Sequence, residues 1–270
     1  MRGTSRASLQ AVEHRFAPVL RAAGEQARTI GDELFALTDA LDSSGSLRRT
    51  LADPSLDGAP KGGLVARLLD GADARTVEIA QALVRSRWSA DADLADAVER
   101  LAFLALLASA EADGTLAQVE QELFSLTRAL AGQREVRRYL LDDAYPAQAR
   151  GDLVDRVLDG QGTAVTRAVA RRAAVAPRGR RYVTTLLHVG DAIAELRSRE
   201  VATVLSASPL TASQTDRLTD LLGRALGRAV QVNVVVDPDV VGGLRVQAGP
   251  DVIDSTVLSR LADARRQLAG

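Results

Sequence analysis

The residues from Ile30 to Gly71 return without a gap as Val119 to Gly160. Some 18 of the 42 aligned positions are identical, among them Glu33 and Glu122, Phe35 and Phe124, Arg48-Arg49 and Arg137-Arg138, and the closing Asp70-Gly71 and Asp159-Gly160. That is far above chance even in a chain rich in Ala and Leu, so part of this protein is built twice. A register of 89 residues, Ile30 with Val119, is long for one unit of a solenoid and normal for a small domain. Two tandem folded bodies are therefore expected, and 270 residues leave room for a third.

Each copy carries helical periodicity. Leu9, Val12, Phe16, Val19 and Leu20 fall on one stripe, and Ile30, Leu34, Leu37 and Leu41 on another. The second copy repeats the latter as Val119, Leu123, Leu126 and Leu130, with Val98, Leu101, Leu104 and Leu107 supplying the helix before it. A short helix follows in each, around Leu47 and Leu51 or Val136 and Leu140, then a turn bearing Pro and Gly. The next helix carries Leu64, Leu68 and Leu69, or Leu153, Val157 and Leu158, and Gly71 or Gly160 suits a left-handed stop. The stretch from Ala90 to Ala112 ends the first bundle and also aligns with the first helix of the chain, so one long helix is expected to join the two.

Past about Arg199 the period changes from that of a helix to that of a strand. Val201, Thr203 and Leu205 alternate with small or polar residues, Val230, Val232, Val234 and Val236 place a second strand closed by Asp237-Pro238, and Leu244, Val246 and Ala248 give a third. Between the first two, Thr211 and Gln214 form a capping box ahead of a stripe of Leu218, Leu221, Leu222 and Leu226, with Gly227 as its stop. A last helix is expected from about Thr256, capped by Asp254 or Ser255, with Val257, Leu258, Leu261 and Leu268 on one face. The fold class that follows is mainly α: two tandem helical bundles, residues 1–107 and 108–196, then a small C-terminal α+β domain, residues 197–270.

Composition narrows the function. A formal net charge of -1 and 3% aromatic residues give neither the basic footprint nor the stacking platform of a nucleic-acid binder, which favours a protein partner. With no Cys there is no disulfide framework, thiolate nucleophile or Cys-ligated zinc, as expected of a reducing compartment. The first ten residues lack the apolar run of a signal peptide, and the longest apolar run, Leu101 to Ala108, is far short of the ~18 residues of a membrane span. The cytoplasmic side is favoured. Lys61 is the only Lys, so nearly all positive charge is Arg, a bias of genomic composition.

No catalytic, cofactor or metal site stands out. Gly242-Gly243 allows close backbone approach to a phosphate, but it lacks a nucleotide-loop spacing and leads into a strand, so a tight turn is expected. His14 and His188 are too far apart in sequence to pair on one helix, and Asp91, Asp93, Asp96 and Glu99 read as a solvated helix face. Arg171, Arg172, Arg178, Arg180 and Arg181 form the densest charge cluster, around Pro177. They suit either a solvated linker or docking to an acidic protein surface. The corresponding part of the first copy has only Arg85 and Arg87, beside the single Trp88.

The segment VQVNVVVDPDVVGGLRVQAGPDVIDSTVLSRLADARRQL resembles the C-terminal signature of the delta subunit of F-type ATP synthases, the family of the mitochondrial oligomycin-sensitivity-conferring protein. The pattern appears as Asp237-Pro238, Val240-Val241, Gly242-Gly243, Gly249, Val252-Ile253-Asp254, then Leu261 and Leu268, and VATVLSASPLTASQTDRL upstream resembles the preceding strand-turn-helix. Ser255-Thr256 departs from the small residue and Ser usual there, and the chain is about 90 residues longer than typical members, a difference the duplication accounts for. Actinobacterial relatives are similar in carrying a duplicated N-terminal region.

The resemblance implies a non-catalytic stator subunit in the peripheral stalk, without cofactor or metal. Residues 108–196 would grip the N-terminal helices of alpha subunits, residues 197–270 would engage b-type stalk subunits, and the first bundle would add contacts along the stalk. It further implies one copy per synthase, held at the cytoplasmic face of the cell membrane without inserting into it. Two other classes fit parts of the sequence: a tandem helical adaptor unrelated to the synthase, from the repeats alone, and an enzyme holding a nucleotide at Gly242-Gly243.

Overall fold

The computed structural model describes residues 1, 3–142, 144–198, 201–226, 230–237, 240, 243–248 and 251–254. It divides into two compact units, Met1–Gly190 and Asp191–Gly270. The duplicated segments, Ile30–Gly71 and Val119–Gly160, both lie in the first unit, and the helix Tyr182–Ser198 runs across the division.

The first repeat comprises α1 (Gly3–Ala23), a 3-10 turn (Gly24–Gln26), α2 (Ala27–Ser43), α3 (Gly45–Ala52), α4 (Gly58–Leu68), α5 (Ala74–Arg85) and α6 (Asp91–Ala112). The second continues with α7 (Leu116–Ala131), α8 (Arg134–Leu141), α9 (Ala147–Leu158), α10 (Ala164–Val175) and α11 (Tyr182–Ser198). The duplicated stripes are the core of each: Ile30, Leu34, Leu37 and Leu41 are at most 2% exposed, and Val119, Leu123, Leu126 and Leu130 are also buried. Gly71 and Gly160 adopt φ of +84° and +72°, the left-handed stops their positions call for.

α6 is the centre of the unit. From Leu94 to Ala110 every residue except Asp96 and Arg100 is buried, because the helix packs on α1, α2, α3 and α5 on one side and on α7 and α10 on the other. A helix that is apolar almost all round has no solvent face to keep, which is why its sequence carries so little amphipathic pattern. The expected joining helix is therefore a shared one.

A glutamate latch recurs in both repeats. Glu33 on α2 accepts the Asp73 backbone N–H at 3.1 Å and the Thr76 hydroxyl at 2.5 Å, so it pins the start of α5. Glu122 on α7 accepts the Thr163 N–H at 2.8 Å and the Thr166 hydroxyl at 2.6 Å, pinning α10. Burial pushes the Glu122 carboxyl up, but hydrogen bonds from Thr166, Thr163 and Gln118 outweigh it and hold the group below the usual carboxylate range. A depressed folded pKa stabilises above the unfolded value and is lost as pH falls through the folded one. Glu122→Gln is thus expected to cost about 1 to 2 kcal/mol at neutral pH. It should also flatten the fall in melting temperature below about pH 5, measured by circular dichroism.

The second unit holds β1 (Val201–Ser206), α12 (Ala212–Leu226), β2 (Gln231–Val236), β3 (Leu244–Ala248) and β4 (Asp251–Asp254) in a sheet of order β2-β1-β3-β4. β1 and β2 run parallel across the α12 crossover, and β3 pairs antiparallel with both β1 and β4. Ala202, Val204, Leu222, Val230 and Val246 form its core, with Leu210 and Leu218 packed against them. The capping box forms as expected, the Thr211 N–H donating to Gln214 Oε1 at 2.8 Å and the Gln214 N–H to Thr211 Oγ1 at 3.3 Å.

The fold class is mainly α with a small α+β domain, as the pattern indicates. Three local readings change. A fourth strand occupies residues read as the approach to the last helix; Leu221 is 52% exposed and outside the α12 stripe; and Leu68 and Val157, equivalent positions, are 46% and 51% exposed where burial was expected. The last helix itself, with Val257, Leu258, Leu261 and Leu268, lies outside the described residues.

Candidate functional site

The arginine cluster sits where the two repeats meet. Arg178, only 10% exposed, reaches Asp42 at 2.6 Å, Asp96 at 2.9 Å and Glu99 at 3.0 Å. Arg180 pairs with the same Glu99 oxygen. Arg172 meets Asp39 at 2.8 Å and lies 4.6 Å from the centroid of the Phe35 ring, which packs edge-on against Phe103. Three cations from the α10 end of the second repeat thus engage four acids on α2 and α6 of the first. Of the remaining two, Arg171 pairs with Asp152 at 3.4 Å and with Asp155, bracing α10 against α9, and Arg181 is exposed at the start of α11.

The backbone is shaped to make this possible. Arg178 and Gly179 take φ of +51° and +72°, and the Arg180 N–H donates to the Pro177 carbonyl at 2.9 Å. That left-handed turn aims both guanidiniums at α6. Holding a non-glycine residue there costs about 1 kcal/mol or more, which the ion pairs offset. Burial disfavours the Arg178 charge, and Asp42, Glu99 and Asp96 together more than restore it.

The acidic surface that Arg172, Arg178 and Arg180 meet therefore belongs to the same chain. The run Asp91, Asp93, Asp96 and Glu99, read as a solvated face, is engaged throughout: Asp91 pairs with Arg48 at 2.9 Å, Asp93 accepts from the Ser5 hydroxyl at 2.7 Å, and Glu99 is 2% exposed. The sequence reading did not single out Asp39 or Asp42. Their signal was present, since the aligned residues of the second repeat are Arg128 and Ala131, a loss of both acids at otherwise matched positions.

A second feature lies among α7, α8, α9 and the start of α11. Leu126, Leu130, Leu140, Val154 and Tyr182, all buried, wall a small apolar cavity, and Val157, which also lines it, is 51% exposed. The buried Tyr182 hydroxyl has no hydrogen-bond partner among the described residues, and burial pushes its pKa up.

Three of the five motif residues of the second unit lie among the described residues. Asp237 closes β2, its N–H donating to the Ser206 carbonyl at 2.9 Å; Gly243, at φ +82°, turns the chain into β3; and Asp254 ends β4 opposite Arg245. Pro238 and Gly242 lie outside the described residues. Among the described residues no group of three or more His, Asp or Glu is placed to hold a metal ion.

Residues 104–268 match the ATP synthase delta (OSCP) subunit family. The chain is similar to the ATP synthase subunit delta of Beutenbergia cavernae, 49% identical over the full length of both chains, and to that of Kineococcus radiotolerans, 44% identical over 99% of this chain and 98% of the relative. It is similar also to that of Streptomyces griseus, 39% identical over the full length of both.

Proposed function

Because the chain belongs to the ATP synthase delta (OSCP) subunit family, we propose that it is a non-catalytic subunit of the peripheral stalk of the F-type proton-translocating ATP synthase. The observation that carries this reading is the extent of the likeness: the matched residues 104–268 run from α6 through the second repeat and the α+β domain, and the relatives align end to end, extra repeat included. In this role the subunit ties the catalytic head to the membrane sector. The rotating shaft exerts torque on the head, and unless the head is held still the proton gradient cannot drive synthesis. The work is binding.

The second repeat, residues 108–196, takes the N-terminal amphipathic helices of alpha subunits, with the exposed apolar side chains Leu141 and Val157 among its candidate contacts. Residues 197–270 engage the b-type stalk, and residues 1–107 add contacts along it. One copy serves each synthase. The protein stays peripheral at the cytoplasmic face of the cell membrane; among the described residues no helix is long and apolar enough to cross a membrane.

Tagged full-length chain should co-purify alpha and beta synthase subunits. A reproducible unrelated partner without them would instead establish the tandem helical adaptor. Deleting residues 1–89 would strip α6 of one side of its packing, so surface substitutions separate the roles better. Val157→Asp with Leu141→Asp is expected to weaken head binding about tenfold or more, and Leu68→Asp in the first repeat to leave it unchanged. Equal losses from both would defeat the assignment of the head to the second repeat.

A further inference from the structure

The two repeats are alike in sequence but not in packing. The Glu33 and Glu122 latches fix the match between α5 and α10, Thr76 with Thr166, so Ile79, Leu83 and Val84 align with Val169, Ala173 and Ala174. All six are buried, which means that α10 fills the same core positions with less side chain. On the preceding helices Leu34, Leu37, Leu41 and Leu51 are each more deeply buried than Leu123, Leu126, Leu130 and Leu140. A small apolar cavity lies beside Tyr182 in the second repeat, and the Tyr182 and Thr185 hydroxyls are buried without a hydrogen-bond partner among the described residues. Lost volume, a void and unmet hydroxyls all make the second repeat easier to open.

The shared helix makes this inequality directional. α1, α2, α3 and α5 close on α6, so the first repeat has a complete core before the second begins. The second has no first helix but α6: the chain turns at Gly114, φ +68°, and α7 starts at Leu116. What the segment 172–180 lays on the first repeat is mostly charge. Asp39 and Asp96 are 57% and 45% exposed even with their arginines in place, and Glu99 would exchange arginine for water if that segment left. The first repeat can therefore stand without the second, whereas unfolding of the first removes a wall from the second.

We propose that the first repeat is an intramolecular scaffold for the second: it holds α6 in place, and the second repeat is folded only where the first one is. The dependence runs one way. It gives the extra repeat a function of its own, separate from any contact with the stalk, and it does not rest on the stator reading.

Ala80 in α5 and Ala170 in α10 occupy the same position, both fully buried, and proline at either breaks its helix. Hydrogen exchange of the full-length chain, read by mass spectrometry, tells the two repeats apart. Ala170→Pro should bring α7–α10 to the exchange rate of an unfolded chain, while α1–α6 stay protected by about a hundredfold or more and Trp88 emission keeps its native maximum. Ala80→Pro should strip protection from both repeats. Protection kept in α7–α10 of Ala80→Pro, or lost from α1–α5 in Ala170→Pro, overturns the proposal. The unmodified chain gives a second reading that needs neither variant to fold: in urea, the near-ultraviolet signals of Tyr139, Tyr145 and Tyr182 should be lost at a lower midpoint than the Trp88 emission. Coincident midpoints, or the reverse order, overturn it as well.

Discussion

Replacing Leu101 by Ala should destabilise both repeats together, by about 3 kcal/mol. Leu101 is fully buried in the middle of α6, and the helix supplies wall to each repeat, so a cavity there cannot be confined to one of them. The chain carries its own reporters for this. The single Trp, Trp88, is buried in the first repeat with its indole N–H donating to the Leu83 carbonyl at 2.8 Å. The three Tyr, Tyr139, Tyr145 and Tyr182, all lie in the second. In urea, Trp emission and Tyr near-ultraviolet signals should move to lower midpoint in step for Leu101→Ala. A shift in the Trp transition alone would mean that α6 belongs energetically to the first repeat only.

Removing Arg178 and Arg180 together should be worse than the sum of the single losses. Glu99 is 2% exposed and accepts from both arginines at one oxygen, so either guanidinium alone still balances its charge. Each single Ala substitution is expected to cost about 1 to 2 kcal/mol. The double strands a buried carboxylate, an effect of about 3 to 5 kcal/mol. If desolvation of Glu99 is the cause, adding Glu99→Leu to Arg178→Met and Arg180→Met should recover much of the loss, because an apolar trio needs no partners. Equilibrium unfolding of the four variants tests this. Additive single losses, or no rescue by the trio, would remove Glu99 from the centre of the inter-repeat contact.

What was legible in the sequence and what was not divides by range. The repeat, its helices and the shared α6 were legible because burial stripes at the helical period are local signals, duplicated here in the same order. The ion network was not, since Arg178 and Asp42 are 136 residues apart and nothing local says which side of α6 the second repeat will cover. Asp96 and Glu99 therefore looked like any charged helix face. Leu68 and Val157 were misplaced for the opposite reason: periodicity assigns them inward, but the edges of α4 and α9 are left open. β4 is four residues long with Asp at each end, too short and too polar at its ends to show alternation, and only its pairing with β3 makes it a strand. The latch glutamates were readable in principle, being identical in both copies while the threonines they hold have shifted by one residue, Thr76 against Thr166.

Lys61 occupies a place that Arg150 takes in the second repeat; both donate to an aspartate carbonyl, Lys61 to Asp53 at 2.9 Å and Arg150 to Asp142 at 3.5 Å. Lys61 is 4% exposed, and burial pulls its pKa down, with Asp53 and Asp57 opposing. Apart from a chain terminus, the protein consequently offers no amine at its surface. Lysine-directed proteases will pass the folded chain by, amine-reactive dyes and succinimidyl cross-linkers will find only that terminus on it, and a single lysine introduced on any exposed arginine becomes its one accessible side-chain amine.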